Sequence, residues 1–138
     1  MTNNGTTLQL SKSMGIRIFQ FVVGLMFVGF GILHAVAPAP IVANMDALGI
    51  AWMLPIVAAV EIVGGLALIA TVFNTQLGGI ASLWMSAVMI GAVFAHLRVG
   101  DLMGAIPALV FLTPCLILIY FYRDAFPIRR LRSYTDSD

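Results

Sequence analysis

The sequence predicts an all-α protein, an integral membrane four-helix bundle, from its composition and from the spacing of its apolar stretches. Of its 138 residues, 61% are hydrophobic and only 9% are charged, whereas soluble domains carry about 25% charged residues. The mean hydropathy is +1.03. Four apolar stretches each have about the 20 residues that a helix needs to cross a bilayer, and they cover residues 15–36, 52–73, 77–96 and 102–122.

The segments between these stretches predict how the spans connect. Residues 37–51 contain two prolines and a glycine, and this segment is long enough to fold over a helix end. Residues 74–76 and 98–101 are short turns, so the spans that they join should be antiparallel neighbours. We therefore predict a polar N-terminal segment, a four-span membrane domain and a basic, polar cytoplasmic tail, at residues 1–14, 15–122 and 123–138.

Basic residues near the span ends predict the orientation. Arg98 lies at one end of the bundle, whereas the other six Lys and Arg residues lie near the opposite end. Because Lys and Arg concentrate on the cytoplasmic side of membrane proteins, both termini are predicted to be cytoplasmic. The six residues are Lys12, Arg17, Arg123, Arg129, Arg130 and Arg132.

A small-residue sequence, Ala35-Val36-Ala37, leaves a second interpretation of the first span open. It resembles the cleavage site of a secretory signal peptide. The apolar stretch before it is longer than the ~7–15 residues that signal peptides use. We therefore favour a retained first span.

Composition also excludes several classes of function. A net charge of +1 is too small to neutralise a phosphate backbone, so no nucleic-acid partner is expected. The single cysteine, Cys115, excludes a disulfide framework and a CxxC redox pair. Neither a glycine-rich phosphate loop nor an HExxH sequence is present. The bilayer is the one partner that the residues themselves predict.

Glu61 is the clearest candidate for chemistry, because an ionisable side chain within the membrane is costly. It lies nine residues after Trp52, which places it ~13 Å below the outer interface. Gly64 and Gly65 follow on the same helix face and allow close approach of another helix. We expect Glu61 to face the bundle interior as the candidate catalytic residue, handling protons. The alternative is a neutral acid that only fastens helices.

His34 and His96 end the first and third spans and are, with Glu61, the candidate ligand-binding residues. Upright helices would leave Glu61 about 9–12 Å deeper than the histidines, whereas metal ligands lie ~2 Å from one ion. We therefore predict no metal site. We expect a cavity open to the outer face, with the histidines at its mouth and Glu61 at its floor. Arg98 and Asp101 are expected to pair in the nearby turn.

Three segments of the chain resemble the DoxX and DoxX-like membrane proteins. The sequences Val-Glu-Ile-Val-Gly-Gly at 60–65 and Gly-Ala-Val-Phe-Ala-His at 91–96 are similar to motifs in the second and third helices of that family. The similarity extends over about residues 15–122. The chain carries His34 where many relatives have lysine. The first-helix pattern comprises Arg17, Gly24, Phe27, Gly31 and His34.

The resemblance implies a four-helix bundle in the cytoplasmic membrane of a bacterium or archaeon. It also implies a redox-associated subunit, for which a quinone or similar small molecule is the candidate ligand and a homo- or hetero-oligomer the expected assembly. The alternative is a non-catalytic assembly subunit. A small multidrug exporter is a poorer hypothesis, because those proteins carry their intramembrane Glu in the first helix, where this chain has no acid.

Overall fold

The computed structural model describes the backbone of residues 4–125 and the side chains of residues 13–125. Four of the basic residues that predict the orientation, Lys12, Arg129, Arg130 and Arg132, have side chains outside these described residues. Within residues 4–125 the chain is helical and contains no strand. The helices are α1 (Asn4–Val36), α2 (Ala39–Ala47), α3 (Leu54–Ala70), α4 (Thr75–Arg98) and α5 (Ala105–Tyr122).

Four of these helices are long and apolar enough to cross a membrane, which confirms the predicted spans. They cover Ser13–Val36, Ala51–Ala70, Thr75–Arg98 and Ala105–Ala125, where the second and fourth include single 3-10 turns at Ala51–Met53 and Arg123–Ala125. Each helix also exposes large aliphatic side chains on its outer face, as contact with lipid tails requires. The protein is thus a multi-pass membrane protein.

The first connecting segment forms a helix, α2, that the sequence analysis treated as a loop. Pro38 precedes it in extended backbone (φ −62°, ψ 151°), and Pro40 lies in its first turn. Proline suits that position, because the first-turn N–H groups have no partner within the helix. Gly49 follows at φ +71°, a left-handed conformation that glycine adopts without strain, and it turns the chain towards α3.

Glycines set the close packing of α1 against α3. A Cβ on Gly24 would lie 2.8 Å from the carbonyl oxygen of Gly65, and one on Gly65 would lie 2.7 Å from that of Gly24. Further along the same pair, a Cβ on Gly31 would lie 2.9 Å from the Ala58 carbonyl oxygen. Only glycine fits these three positions. The matched positions also show that α1 and α3 run antiparallel.

The remaining contacts close the bundle. Gly64 of α3 faces the Met85 side chain of α4, and the rings of Phe27 on α1 and Phe111 on α5 lie 5.4 Å apart. Cys115 is fully buried in the resulting core. That core consists of Val23, Phe27, Leu68, Ala81, Met85, Met89, Phe111, Cys115, Leu118 and Tyr122.

A buried polar cluster ties three helices together at the end of the bundle opposite α2. The Gln20 side-chain amide donates to the Leu68 carbonyl oxygen at 2.7 Å, and its oxygen accepts a hydrogen bond from the Tyr122 hydroxyl. Gln20 is completely buried. Because an unpaired amide would be costly in an apolar bundle, this network fixes the relative positions of α1, α3 and α5.

Candidate functional site

A cavity of about 670 Å³ lies inside the bundle, beneath α2. All five helices contribute to its wall, and most of the side chains that line it are apolar. Aromatic and sulfur-containing side chains form much of this surface, including Phe27, Phe30, Met45, Met89 and Phe111. The polar side chains that line the cavity are His34, Asn44, Glu61, His96 and Arg98.

Helix α2 covers the cavity and is held there by two kinds of contact. Met45 and Leu48 are buried in a small apolar cluster with Leu54 at the start of α3. The Arg98 guanidinium, at the end of α4, donates a hydrogen bond of 2.7 Å to the Leu48 carbonyl oxygen. Helix α2 is therefore attached to both α3 and α4.

His34 and Glu61 form a direct pair. The distance from His34 Nδ1 to Glu61 Oε2 is 2.6 Å, and the Glu61 residue is 5% exposed. The expected separation of about 9–12 Å in depth is therefore wrong for His34. Either group can hold the shared proton, since Nδ1 donates to a carboxylate or accepts from a carboxylic acid.

Side-chain direction explains why His34 reaches Glu61 despite the difference in depth expected for upright helices. Gly31 packs against Ala58 and Ile62, so His34, almost one turn further along α1, lies about one turn of α3 from Glu61. Cα–Cβ bonds tilt towards the N-terminus of their helix. Because α1 and α3 are antiparallel, the two side chains lean towards each other and close the remaining gap.

His96 has a different carboxylate partner. Its Nδ1 atom lies 2.8 Å from Oδ2 of Asp101, and the Asp101 Oδ1 atom accepts the Gly104 N–H at 2.9 Å. The expected pairing of Arg98 with Asp101 is wrong, because Arg98 bonds to α2 instead. Gly104 leaves room for the His96–Asp101 pair, since a Cβ at this position would collide with both side chains.

Asp101 lies in the turn between α4 and α5, outside the candidate spans. The backbone N–H of Gly104, and then the neighbouring His96 ring, hold the pKa of the Asp101 carboxyl below its ordinary value of 3.8. The carboxylate is therefore ionised at neutral pH. The sequence predicted Asp101 only as a partner of Arg98, although the spacing of Asp101 and Gly104 is that of an Asp side chain capping the turn before a helix.

Three polar atoms remain open to a ligand. Within the described residues, His34 Nε2, Glu61 Oε1 and His96 Nε2 make no hydrogen bond. Every fully buried side-chain nitrogen or oxygen of that part of the chain does have a partner, so these three atoms keep accessible surface. All three residues line the cavity. The arrangement can hydrogen-bond the polar substituents of a largely apolar molecule and exchange protons with them.

In the part of the chain that the structure describes, no group of three His, Cys, Asp or Glu side chains could hold a metal ion. Each of the two histidines contacts one carboxylate, and in both pairs the contact is made through Nδ1.

The fold and this site define a class: a small, all-helical, multi-pass membrane protein with an intramembrane His–Glu pair. A family profile described as DoxX-like matches residues 18–118. The chain belongs to the DoxX-like family, as its motifs predicted. No curated protein and no solved structure gives a significant match.

Proposed function

We propose that this protein is a redox-associated subunit of the bacterial or archaeal cytoplasmic membrane that binds a quinone or similar small molecule. One observation carries the proposal: three titratable side chains converge on one apolar cavity of about 670 Å³. Cavities that bind small molecules have volumes of about 300–1,000 Å³, and a few polar groups fix the ligand within apolar walls.

Each polar residue has a separate role in this proposal. Glu61 handles protons, because it shares one with His34 and still has Oε1 available to the ligand. His34 and His96 bind polar substituents on the ring of the ligand through their Nε2 atoms. The apolar wall, with Phe27, Phe30 and Phe111 among its residues, suits contact with a flat ring.

The proposed orientation follows from the basic residues. Arg17 and Arg123 lie at the end of the bundle where the first span begins and α5 ends, whereas Arg98 lies at the end covered by α2. The preference for basic residues on the cytoplasmic side places both termini in the cytoplasm. The cavity then lies in the outer half of the bundle, beneath α2.

The alternative function, a non-catalytic assembly subunit, assigns Glu61 only a packing role. Gly64 faces Met85 of the same chain, so a large side chain there would strain the bundle itself and would not test contacts with a partner subunit. The presence or absence of a bound small molecule discriminates better between the two functions.

Native mass spectrometry of the gently extracted protein tests the proposal. We expect a stoichiometric bound molecule on the wild-type chain that is lost in Glu61→Gln, because the amide cannot exchange a proton with the ligand. Asp46→Asn is a matched control: it makes the same chemical change on an exposed α2 residue that does not line the cavity. This control should keep the bound molecule.

Two results would contradict the proposal. A wild-type chain that carries no small molecule, or only a second protein, would favour the assembly subunit. If Glu61→Gln kept the bound molecule at full occupancy, Glu61 would have no role in ligand binding.

A further inference from the structure

The hydrogen bonds around Asp101 determine which ring nitrogen of His96 carries a proton. The Asp101 side chain is 40% exposed and lies in a turn outside the spans, where a carboxyl group is ionised. An ionised carboxylate accepts hydrogen bonds and has no proton to donate. The Nδ1 atom of His96, 2.8 Å from Asp101 Oδ2, must therefore be the donor.

The other nitrogen of the ring then acts as an acceptor. In a neutral imidazole one nitrogen carries the proton and the other offers a lone pair. Gly104 packs against the Nδ1–Cε1 edge of the His96 ring, and Nε2 keeps accessible surface at the cavity. Neutral His96 thus presents a lone pair to whatever occupies the cavity.

A carbonyl oxygen cannot satisfy that lone pair, because both atoms are acceptors. A hydroxyl group can donate to it. We propose that the cavity binds the hydroxyl-bearing form of a ring compound, a hydroquinone or phenol, in preference to the carbonyl form. Asp101 is the positioning residue that makes His96 an acceptor. This inference rests on the proposed small-molecule site and adds the hydrogen-bonding class of its ligand.

The test compares two probes of nearly equal shape, tetramethyl-p-hydroquinone and tetramethyl-p-benzoquinone. Equilibrium dialysis against the purified full chain, without oxygen and at about pH 8, keeps an ordinary imidazole neutral. We expect the hydroquinone to bind about 10- to 100-fold more tightly, as one buried acceptor left unpaired by the quinone would cause.

Asp101→Asn tests the positioning role through the ratio of the two dissociation constants. The asparagine amide can donate to Nδ1, so the ring proton can move to Nε2 and the preference for hydroquinone should disappear or invert. Asp46→Asn should keep the wild-type ratio. If Asp101 had a purely structural role, Asp101→Asn would weaken the binding of both probes equally. The ratio of the two dissociation constants would then stay unchanged, which would overturn the inference.

A second measurement needs no variant. The chain has two histidines, so the ¹⁵N spectrum of the untagged, histidine-labelled protein contains two imidazoles. We expect the imidazole bonded to Asp101 to be the Nδ1–H tautomer. The opposite tautomer would overturn the inference.

The outcomes separate this inference from the proposed function. Binding of both probes with equal affinity would leave the small-molecule site standing and overturn the hydroxyl preference. Failure of both probes to bind at all would overturn both.

Discussion

At the scale of single residues, two histidines use the same ring atom for different tasks. His34 Nδ1 contacts Glu61 between two membrane-spanning helices, whereas His96 Nδ1 contacts Asp101 in a turn. The first pair is enclosed by the bundle, and Glu61 is 5% exposed. Removing one partner of such a pair leaves the other unpaired in an apolar setting, which costs more than the pair itself contributes.

That asymmetry predicts different effects for two substitutions at Glu61. Glu61→Gln keeps a donor for His34 Nδ1, whereas Glu61→Ala leaves that nitrogen without a partner. We expect Glu61→Ala to lower the free energy of unfolding by about 1–3 kcal/mol more than Glu61→Gln. Denaturant titration in detergent micelles measures the difference. Equal losses would show that the His34–Glu61 contact does not stabilise the bundle.

At the scale of elements, α2 is attached to the bundle by few contacts. Its buried residue Met45 packs near Leu48 and Leu54, and Arg98 supplies the hydrogen bond from α4. The helix has nine residues, too few to be stable in isolation. Its position over the cavity therefore depends on these contacts.

Arg98→Ala should release the end of α2. The loss of one hydrogen bond lowers the free energy of opening α2 by about 0.5–1.5 kcal/mol. Amide hydrogen exchange in α2 should therefore accelerate by roughly 2- to 10-fold. Arg123→Ala is the control, because Arg123 contacts the Tyr120 ring and lies far from α2 in the chain. If hydrogen exchange in α2 were unchanged in Arg98→Ala, the apolar cluster of Met45, Leu48 and Leu54 alone would hold α2 in place.

The packing of α1 on α3 gives a second prediction at this scale, through two glycines of one helix. A Cβ on Gly24 would lie 2.8 Å from a backbone oxygen, whereas one on Gly29 would meet open space. Gly24→Ala should destabilise the fold by about 1–3 kcal/mol, since the helices must separate.

Gly29→Ala is the matched control, and it should be neutral or stabilising by up to about 1 kcal/mol because alanine is the better helix former. Thermal unfolding of both variants in the same detergent gives the comparison. Equal stability of the two variants would contradict the assigned register of α1 and α3.

The elements also show what a sequence can and cannot predict here. The four spans were predictable because length and hydropathy alone define them. Helix α2 was missed because Pro38 and Pro40 resemble loop residues, although both suit the start of a helix. The contact between His34 and Glu61 depends on how far α1 slides along α3. That register follows from glycine packing and is not visible in the residue pattern of either helix.

At the scale of the whole molecule, the proposed orientation puts the start of α1 and the end of α5 on the cytoplasmic side of the membrane. Cys115 is the chain's single cysteine and is fully buried, so its replacement by alanine gives a background for accessibility measurements. Met103, which is 75% exposed in the turn between α4 and α5, marks one face. Gln76, exposed at the start of α4, marks the opposite face.

In the Cys115→Ala background, Met103→Cys should react with a membrane-impermeant maleimide in intact cells. Gln76→Cys should react only after the cells are permeabilised, because its face is cytoplasmic in the proposed orientation. Gel shifts of the labelled protein measure both reactions. The reverse pattern would place the termini and the basic residues on the outer side.

We propose that the cavity beneath α2 is a binding site. Native mass spectrometry of a variant in which that cavity is filled shows whether a molecule binds there. Ala92 lines the cavity, and Ala92→Phe adds volume there without changing His34, Glu61 or His96. Ala70→Phe makes the same change at an exposed position of α3 that does not line the cavity.

We expect a stoichiometric small molecule on the wild-type chain and on Ala70→Phe, and its loss from Ala92→Phe. A wild-type chain without a bound molecule, or an Ala92→Phe chain that retains it at full occupancy, would show that the cavity beneath α2 is not the binding site.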